Sequence, residues 1–514
     1  MPIDTPGWVR DAVFYQVFPD RFARSGRMHA PGPLEPWDAP PTVGGFKGGD
    51  LYGVIEHLDH IADLGANAIY LNPIFVSASN HRYHTYDYYR VDPLLGGDSA
   101  FRALLDAAHA VGIRVVIDGV FNHCGRGFWP FHSVLEMGGE SPYRDWFFLN
   151  PEFIRASRPL RAYDAPPGPA LDLSAADLGG RDGKASFRDL GYQAWWDLPA
   201  LPKLNVGNPE VREYLLGAAE HWIRFGVDGW RLDVPEDLED PDFWREFRRR
   251  IRAINPDAYI LAEIWFPNAE VLRGDQYDAT MNYPFLTAVA SFAGGAHIDR
   301  SVAAQHGWLA ANVQPLDGPG FAGHLGRLMT QFDPDVTAVQ YNLVGSHDTP
   351  RILSLLGGDA DGVRLAALAQ ATLPGAPAVY YGDEIGMTGS IDPGARAAFP
   401  WDQPETWDET IRDYLRAVFR LRHEHRVLRR GTFRLAGARG PMVGWVRWLG
   451  DTTALVVVNN GESPSTLTIE APELLARTLI SSSLPGDAVP VMLLPASATF
   501  EVSLPARSGR VFIG

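Results

Sequence analysis

The chain has 514 residues and a mass of 56.6 kDa, too long for one ordinary domain but within reach of a barrel of about 250 to 400 residues plus a smaller module. Hydrophobic residues make up 46% and charged residues 21%, a balance that supports a large core and excludes a disordered chain. A net charge of -17 argues against nucleic acid and anionic membranes as partners, and a single cysteine, Cys124, excludes a disulfide framework and a cysteine zinc site. The opening residues lack a basic stretch followed by an apolar core, and no run of about 18 apolar residues occurs, so a cytoplasmic protein is expected.

Up to about residue 425 short apolar runs alternate with longer helical patterns, the signature of repeated βα units. Eight strands are predicted: "AVFYQVF" near residue 12, "NAIYLNPIF" near 67, "IRVVIDGVF" at 113, "GVDGWRLDV" at 226, "AYILAEIW" at 258, "ATMNYPF" at 279, "AVQYNLVGS" at 338 and "APAVYYGDEIG" at 376. Between them, "NPEVREYLLGAAEHWIRFG" reads as a helix capped by Asn208, with Pro209 in its first turn and Gly226 after its end. "DSAFRALLDAAHAVG" reads likewise, with Asp98 as cap and Gly112 as terminator. Eight such units predict an α/β fold, a (β/α)8 barrel with its site at the C-terminal strand ends, although count alone leaves an open doubly wound sheet possible.

Two stretches break the alternation. Residues 124–205 are aromatic, rich in Pro and Gly and weakly periodic, and are expected to form a small domain inserted after strand three of a barrel spanning 1–123 and 206–428. Residues 429–514 switch to short alternating runs, which predict a C-terminal antiparallel β-sandwich.

The strand ends carry the chemistry. Arg231 and Asp233 are two apart, so they share a face at the end of strand four. Strand three ends in Asp118, Asn122 and His123, strand five in Glu263, and strand seven in His347 and Asp348. An ion pair at one strand end is as readily structural as catalytic; four strand ends converging on one rim point to function. Two imidazoles without HxH or HExxH spacing argue against a metal hydrolase. Glycoside hydrolysis needs one carboxyl held ionised and one held protonated. Asp233 beside Arg231 suits the first part, and Glu263 in the apolar run "ILAEIWF" suits the second.

With "DGVFNH", "GWRLDV", "AEIW" and "GSHDT" in order and "LPKLN" ahead of the second, the chain resembles the α-amylase family of glycoside hydrolases over essentially its whole length. The resemblance implies a retaining double displacement, with Asp233 as nucleophile, Glu263 as acid and then base, and Asp348 stabilising the transition state. It implies that Tyr83, His123, Arg231 and His347 line the subsite of the attacked ring, and that Asp392 and Arg396 of "DPGAR" hold sugars on the non-reducing side. Asp118 is as much structural as functional. Further sugar contacts are assigned to His81, Trp196, Lys203 and Glu236. Trp195 and Trp196 are open to two readings, stacking on sugar or anchoring the inserted segment. Asp237 is read as a solvated turn residue.

Within the family "LPKLN" and "GSHDTPR" are most similar to the neopullulanase, cyclomaltodextrinase and maltogenic amylase group. That implies an α-glucan oligosaccharide substrate, cleavage of α-1,4 and in some members α-1,6 links in cyclodextrins, pullulan and short maltooligosaccharides, and transfer to acceptors. Three departures stand out: strand one begins too early for the group's N-terminal β-domain, Pro235, Glu236 and Asp237 replace its usual Ala-Asn-Glu, and "DRFARSGRMHA" lacks the Asn/Asp-rich loop of calcium-binding relatives. No cofactor is therefore expected; Asn122 could join a calcium site, but no metal ligand is assigned. A monomer is favoured. The alternatives are a glucosyl isomerase or transferase acting on maltose or sucrose, and a non-catalytic carbohydrate-binding relative, which the three carboxylates disfavour.

Overall fold

A computed structural model describes residues 3–163, 183–482, 484–485 and 492–514. All eight predicted barrel strands form: β1 (Phe14–Val17), β2 (Ala68–Leu71), β3 (Arg114–Gly119), β4 (Gly229–Leu232), β5 (Tyr259–Ala262), β6 (Ala279–Thr280), β7 (Tyr341–Leu343) and β8 (Ala376–Tyr380). They pair in parallel in the order 6-5-4-3-2-1-8-7. A bridge between Met281 and Tyr341 joins the two ends, so the sheet closes and the open doubly wound alternative falls away. Nearly every residue of these strands is buried, as expected of parallel strands covered on one side by helices and on the other by the barrel interior.

The helix Pro209–Phe225 has the predicted ends: the Asn208 side chain accepts from Glu210 N, and Gly226 follows at φ 114°, a conformation that favours glycine. The helix Gly97–Ala110 differs from expectation. Its cap is Gly96, and Asp98 lies in the first turn, where its carboxylate accepts from Val91 N at 2.8 Å. A tertiary donor outcompetes the local amide.

Between β3 and β4 the chain makes a long excursion of short helices and isolated bridges. His123 bridges to Lys203, Phe147 to Leu204 and Ala194 to Pro202. Phe131, Phe147 and Tyr192 of this segment belong to the same apolar cluster as the barrel core, so it is fused to the barrel wall. Part of the predicted insertion, residues 164–182, lies outside the described residues.

The C-terminal part contains β9 (Thr432–Arg439), β10 (Met442–Leu449), β11 (Thr452–Asn459), β12 (Ser465–Glu470), β13 (Leu479–Ser481), β14 (Met492–Leu493), β15 (Thr499–Leu504) and β16 (Ser508–Ile513). They form an antiparallel sheet in the order 9-10-11-16-13-14 and a pair of strands, 12-15. The large sheet is apolar on both faces. Met442, Val446, Leu455 and Val457 pack with Leu467, Ile469 and Val502 of the strand pair, whereas Val443, Trp445, Ala454 and Val456 join the barrel core. Alternation along each strand thus serves two interfaces at once.

Arg447, on the barrel-facing side of β10, is buried without a carboxylate. Its guanidinium donates to the carbonyls of Thr372 (2.5 Å), Leu428 (2.8 Å) and Gly431 (2.8 Å). Thr372 ends one helix and Leu428 lies in the last turn of another, so the cation meets carbonyls at the negative ends of helices. Arg447→Met is expected to remove the bonds to the Thr372 and Gly431 carbonyls, while Leu428 O keeps its bond from Arg422, at a cost of about 3 kcal/mol. The expected readout is a lower urea midpoint with unchanged activity per folded molecule.

Candidate active site

The barrel register delivers the charges to one level. Asp118 on β3 pairs with Arg231 on β4, and the ladder continues beyond the strands through Asp233 N to Gly119 O and Glu263 N to Leu232 O. Three consecutive strands therefore bring Asp118, Asp233 and Glu263 around one guanidinium. Arg231 Nη1 donates to Asp118 Oδ1 (2.9 Å) and to Asp233 Oδ1 (2.9 Å), and Nη2 lies 2.9 Å from Glu263 Oε2. Arg231 is fully buried, and Asp233 and Glu263 are nearly so.

Asp118 accepts two further bonds, from the hydroxyls of Tyr70 (2.6 Å) and Tyr83 (2.8 Å). The Tyr83 oxygen also lies 2.6 Å from His347 Nε2, and Asn72 Nδ2 donates to it at 3.0 Å. Gln16 Nε2 meets His347 Nδ1 at 2.9 Å, which makes Nδ1 the acceptor and leaves the hydrogen on Nε2. Burial, with Arg396 and Arg231 nearby, holds His347 well below the usual imidazole range. A neutral imidazole is thereby fixed in one tautomer, its ring parallel to that of Tyr83 (5.5 Å, 4°).

Asp348 lies 3.1 Å from His347 Nε2 and accepts from Arg396 Nη2 at 3.2 Å; Arg396 also pairs with Asp392 at 3.1 Å and donates to the His347 carbonyl at 2.8 Å. The "DPGAR" residues are thus wired directly to Asp348. His81 sits behind Tyr83, its Nδ1 accepting from Tyr83 N at 3.2 Å.

Two local expectations are corrected. The Glu263 carboxyl is not in an apolar setting: besides Arg231 it receives Trp265 Nε1 on Oε1 and Val234 N on Oε2, both at 3.2 Å. Arg231 does not dominate Asp233 either. Burial pushes the Asp233 carboxyl well above the usual range, the charges of Glu263 and Asp118 push the same way, and Arg231 opposes them. Burial, followed by the charge of Glu263, raises Asp348 to about 7.

On the other side of the cleft Trp195 stacks on His123 (4.8 Å, 15°) and Trp196 stacks on Trp195 (4.8 Å, 20°). Trp195 Nε1 donates to Asp237 Oδ2 at 2.6 Å, so Asp237 is an anchor rather than a solvated turn residue. Pro235 does not end a strand, since β4 stops at Leu232; it opens a short turn, Pro235–Leu238, on which Glu236 is exposed. Lys203, half-buried, adds its charge near His123 and Asp237.

Gln16, Tyr70 and Asn72 escaped the sequence reading, although a polar residue inside an otherwise apolar strand, as in "FYQV", was a usable signal. The role of Asp237 and the stack that holds Trp265 depend on partners remote in sequence and left no such trace.

A calcium ion is not accommodated by the loop after β1. Lys47 is buried there, donating to the carbonyls of Pro36 (2.5 Å) and Ala39 (2.6 Å) 3.5 Å from Glu35, and Asp50 already accepts from Ser25 and Gly53. Among the described residues no group of three or more His, Cys, Asp or Glu is placed to hold a metal, and no helix is long and apolar enough to cross a membrane.

A rim of buried carboxylates on a closed parallel barrel, organised by one arginine, defines a polar cleft suited to acid–base and nucleophilic work on a neutral substrate. Residues 16–419 match the model of the alpha amylase catalytic domain, and the chain belongs to the α-amylase family of glycoside hydrolases. It is 41% identical over 473 residues to a cyclomaltodextrinase from a Bacillus species, covering 91% of this chain and 76% of that one. Among solved structures it superposes on Ttha1563 from Thermus thermophilus with TM-score 0.86 at 44% identity, covering 98% of this chain and 99% of that one. It superposes on the Nostoc punctiforme debranching enzyme with TM-score 0.82 at 40% identity, covering 100% of both chains.

A carboxyl whose pKa is raised in the folded state adds stability at low pH, and that contribution is lost as pH rises from the unfolded value near 3.8 through about 7. Asp348→Asn, neutral throughout, is therefore expected to melt progressively above the wild type as pH increases across that window. Melting curves from pH 4.5 to 8 check the sign.

Proposed function

We propose that this cleft hydrolyses α-glucosidic links with retention of configuration. The observation that carries the reading is the pair of carboxyls on one guanidinium, with Asp233 on Nη1 and Glu263 near Nη2 of Arg231. In the first step an Asp233 oxygen bonds to the anomeric carbon while the glycosidic C–O bond breaks, and Glu263 gives its proton to the departing oxygen. In the second, Glu263 takes a proton from water, whose oxygen displaces Asp233 and restores both carboxyls. Burial and four neighbouring carboxyl groups favour retention of a proton in the cluster, which this sequence of steps requires.

Asp348, held by Arg396 and His347, is proposed to accept from hydroxyls of the attacked ring, over the face of Tyr83. His123 Nε2 and Asn122 Oδ1, buried without a hydrogen-bonding partner among the described residues, are available to the same sugar. Asp392, Arg396 and His81 lie on the donor side, and Trp196, Lys203 and Glu236 on the acceptor side.

The substrates proposed are cyclodextrins, pullulan and short maltooligosaccharides, with transfer to sugar acceptors. Action on α-1,6 as well as α-1,4 links is supported by end-to-end similarity to a debranching enzyme. We also propose the domain limits 1–123, 124–205, 206–428 and 429–514, a cytoplasmic location in keeping with one buried cysteine, and a monomer, since one chain supplies the whole cluster.

Product profiles from β-cyclodextrin, pullulan, soluble starch, maltose and sucrose test this reading. Ring opening and panose or maltose from pullulan, with starch slow, are expected; preference for starch, or isomerisation of maltose or sucrose, would overturn the substrate assignment. Asp233→Asn is expected to lower kcat on the preferred substrate by on the order of 10⁴-fold, and a variant that kept full activity would remove the nucleophile assignment.

A further inference from the structure

Trp265 follows Glu263 by two residues, and its indole Nε1 donates to Glu263 Oε1 at 3.2 Å. Side chains two apart just beyond a strand rarely hold a fixed relation, because the loop is free to turn. Here the ring is immobilised. It lies flat on Tyr283 (3.6 Å, 7°) and parallel to His306 (5.0 Å, 17°), with Trp308 edge-on at 5.2 Å. Tyr283 opens the helix Tyr283–Gly294 after β6, and Trp308 belongs to the helix Gly307–Asn312; Tyr283, His306 and Trp308 are all buried. The indole is therefore clamped by elements outside its own loop, and its polar edge is what it presents to the carboxyl.

Glu263 is gripped at both oxygens. Oε2 takes Val234 N at 3.2 Å and lies 2.9 Å from Arg231 Nη2, while among the described residues Oε1 takes only the indole. Rotation of the carboxyl about its last bond is opposed at Oε1 by that single donor. Val234 itself sits at φ 34°, ψ 52°, a left-handed conformation unfavourable for a β-branched residue, so the backbone side of the grip is also held by its surroundings.

We infer that Trp265 is a positioning residue for Glu263: the stacked indole fixes the oxygen that meets the glycosidic bond, and its ring serves this clamp rather than a sugar platform. The inference rests on the proposed role of Glu263 as acid. A displacement of about 1 Å of such a group is enough to cost on the order of 10²-fold in rate.

The test compares two substrates. Maltotriose has a sugar leaving group that needs a proton; α-maltosyl fluoride loses fluoride, a weak base, with little need of one. Trp265→Phe keeps a ring in the stack and removes the N–H. It is expected to lower kcat/KM on maltotriose by on the order of 10²-fold and on the fluoride by less than about threefold, so that the fluoride rate also reports a folded cleft. Equal losses on both substrates would make Trp265 a sugar contact or a packing residue, and no loss on either would make the bond idle; each overturns the inference. Glu263→Gln, run alongside, separates the two layers. If it spares the fluoride, the acid assignment stands whatever Trp265→Phe does; if it loses both substrates equally, the acid assignment fails and the inference goes with it.

Discussion

The guanidinium of Arg231 is the constraint on which the site is built. It is buried at the centre of the rim and shared among Asp118, Asp233 and Glu263, with Asp348 nearby and only Arg396 to help balance it. One cation cannot neutralise three carboxyls, and burial penalises each charge that remains. Asp118 answers with two tyrosine hydroxyls, which let it stay in place as the floor of the cluster. Burial nevertheless pushes Asp118, Asp233 and Asp348 all upward, with the charge of Arg231 opposing it at each. Such an arrangement persists only because the surrounding barrel and its fused outer segments supply a core large enough to hold it.

The barrel was legible in the sequence because its strands are apolar throughout and its helices carry local caps, signals that need no knowledge of distant partners. The carboxylates were legible for a related reason: a charge at the end of an apolar strand is conspicuous. What was not legible depended on three-dimensional neighbours. Asp98 looked like a cap and went to Val91; Asp237 looked solvated and holds Trp195. The apolar letters around Glu263 do not describe its carboxyl, which meets the Arg231 guanidinium and the polar edge of Trp265, itself one of those letters. Sequence neighbours describe the strand; cross-strand register describes the site.

The two sides of the cleft are built from different materials. One side is a hydrogen-bonded lattice running from Gln16 through His347, Tyr83 and Asp118, with Arg396 tying Asp348 to Asp392. Its directed bonds fix rotamers and one imidazole tautomer. Opposite it stands an aromatic column in which Trp196 stacks on Trp195 and Trp195 on His123, attached through Asp237 to the turn after β4. Stacking restrains such a column less tightly than a lattice of directed bonds.

That contrast follows from what each side must do in a double displacement. In the proposed mechanism the ring under attack has to meet Asp233, Glu263 and Asp348 in one geometry, so a rigid polar frame is useful there. The leaving sugar and the incoming water or sugar use the other side in turn, and a surface that recognises rings by their flat faces admits several of them. Pro235, Glu236 and Asp237 lie on that tolerant side, and so does the segment after β3, whose Trp195 is anchored to Asp237. Changes at Trp195, Trp196 or Asp237 act through the aromatic column, whereas Pro235 directly follows Val234, whose N–H donates to Glu263, so a change at that end of the turn reaches the Arg231 cluster as well.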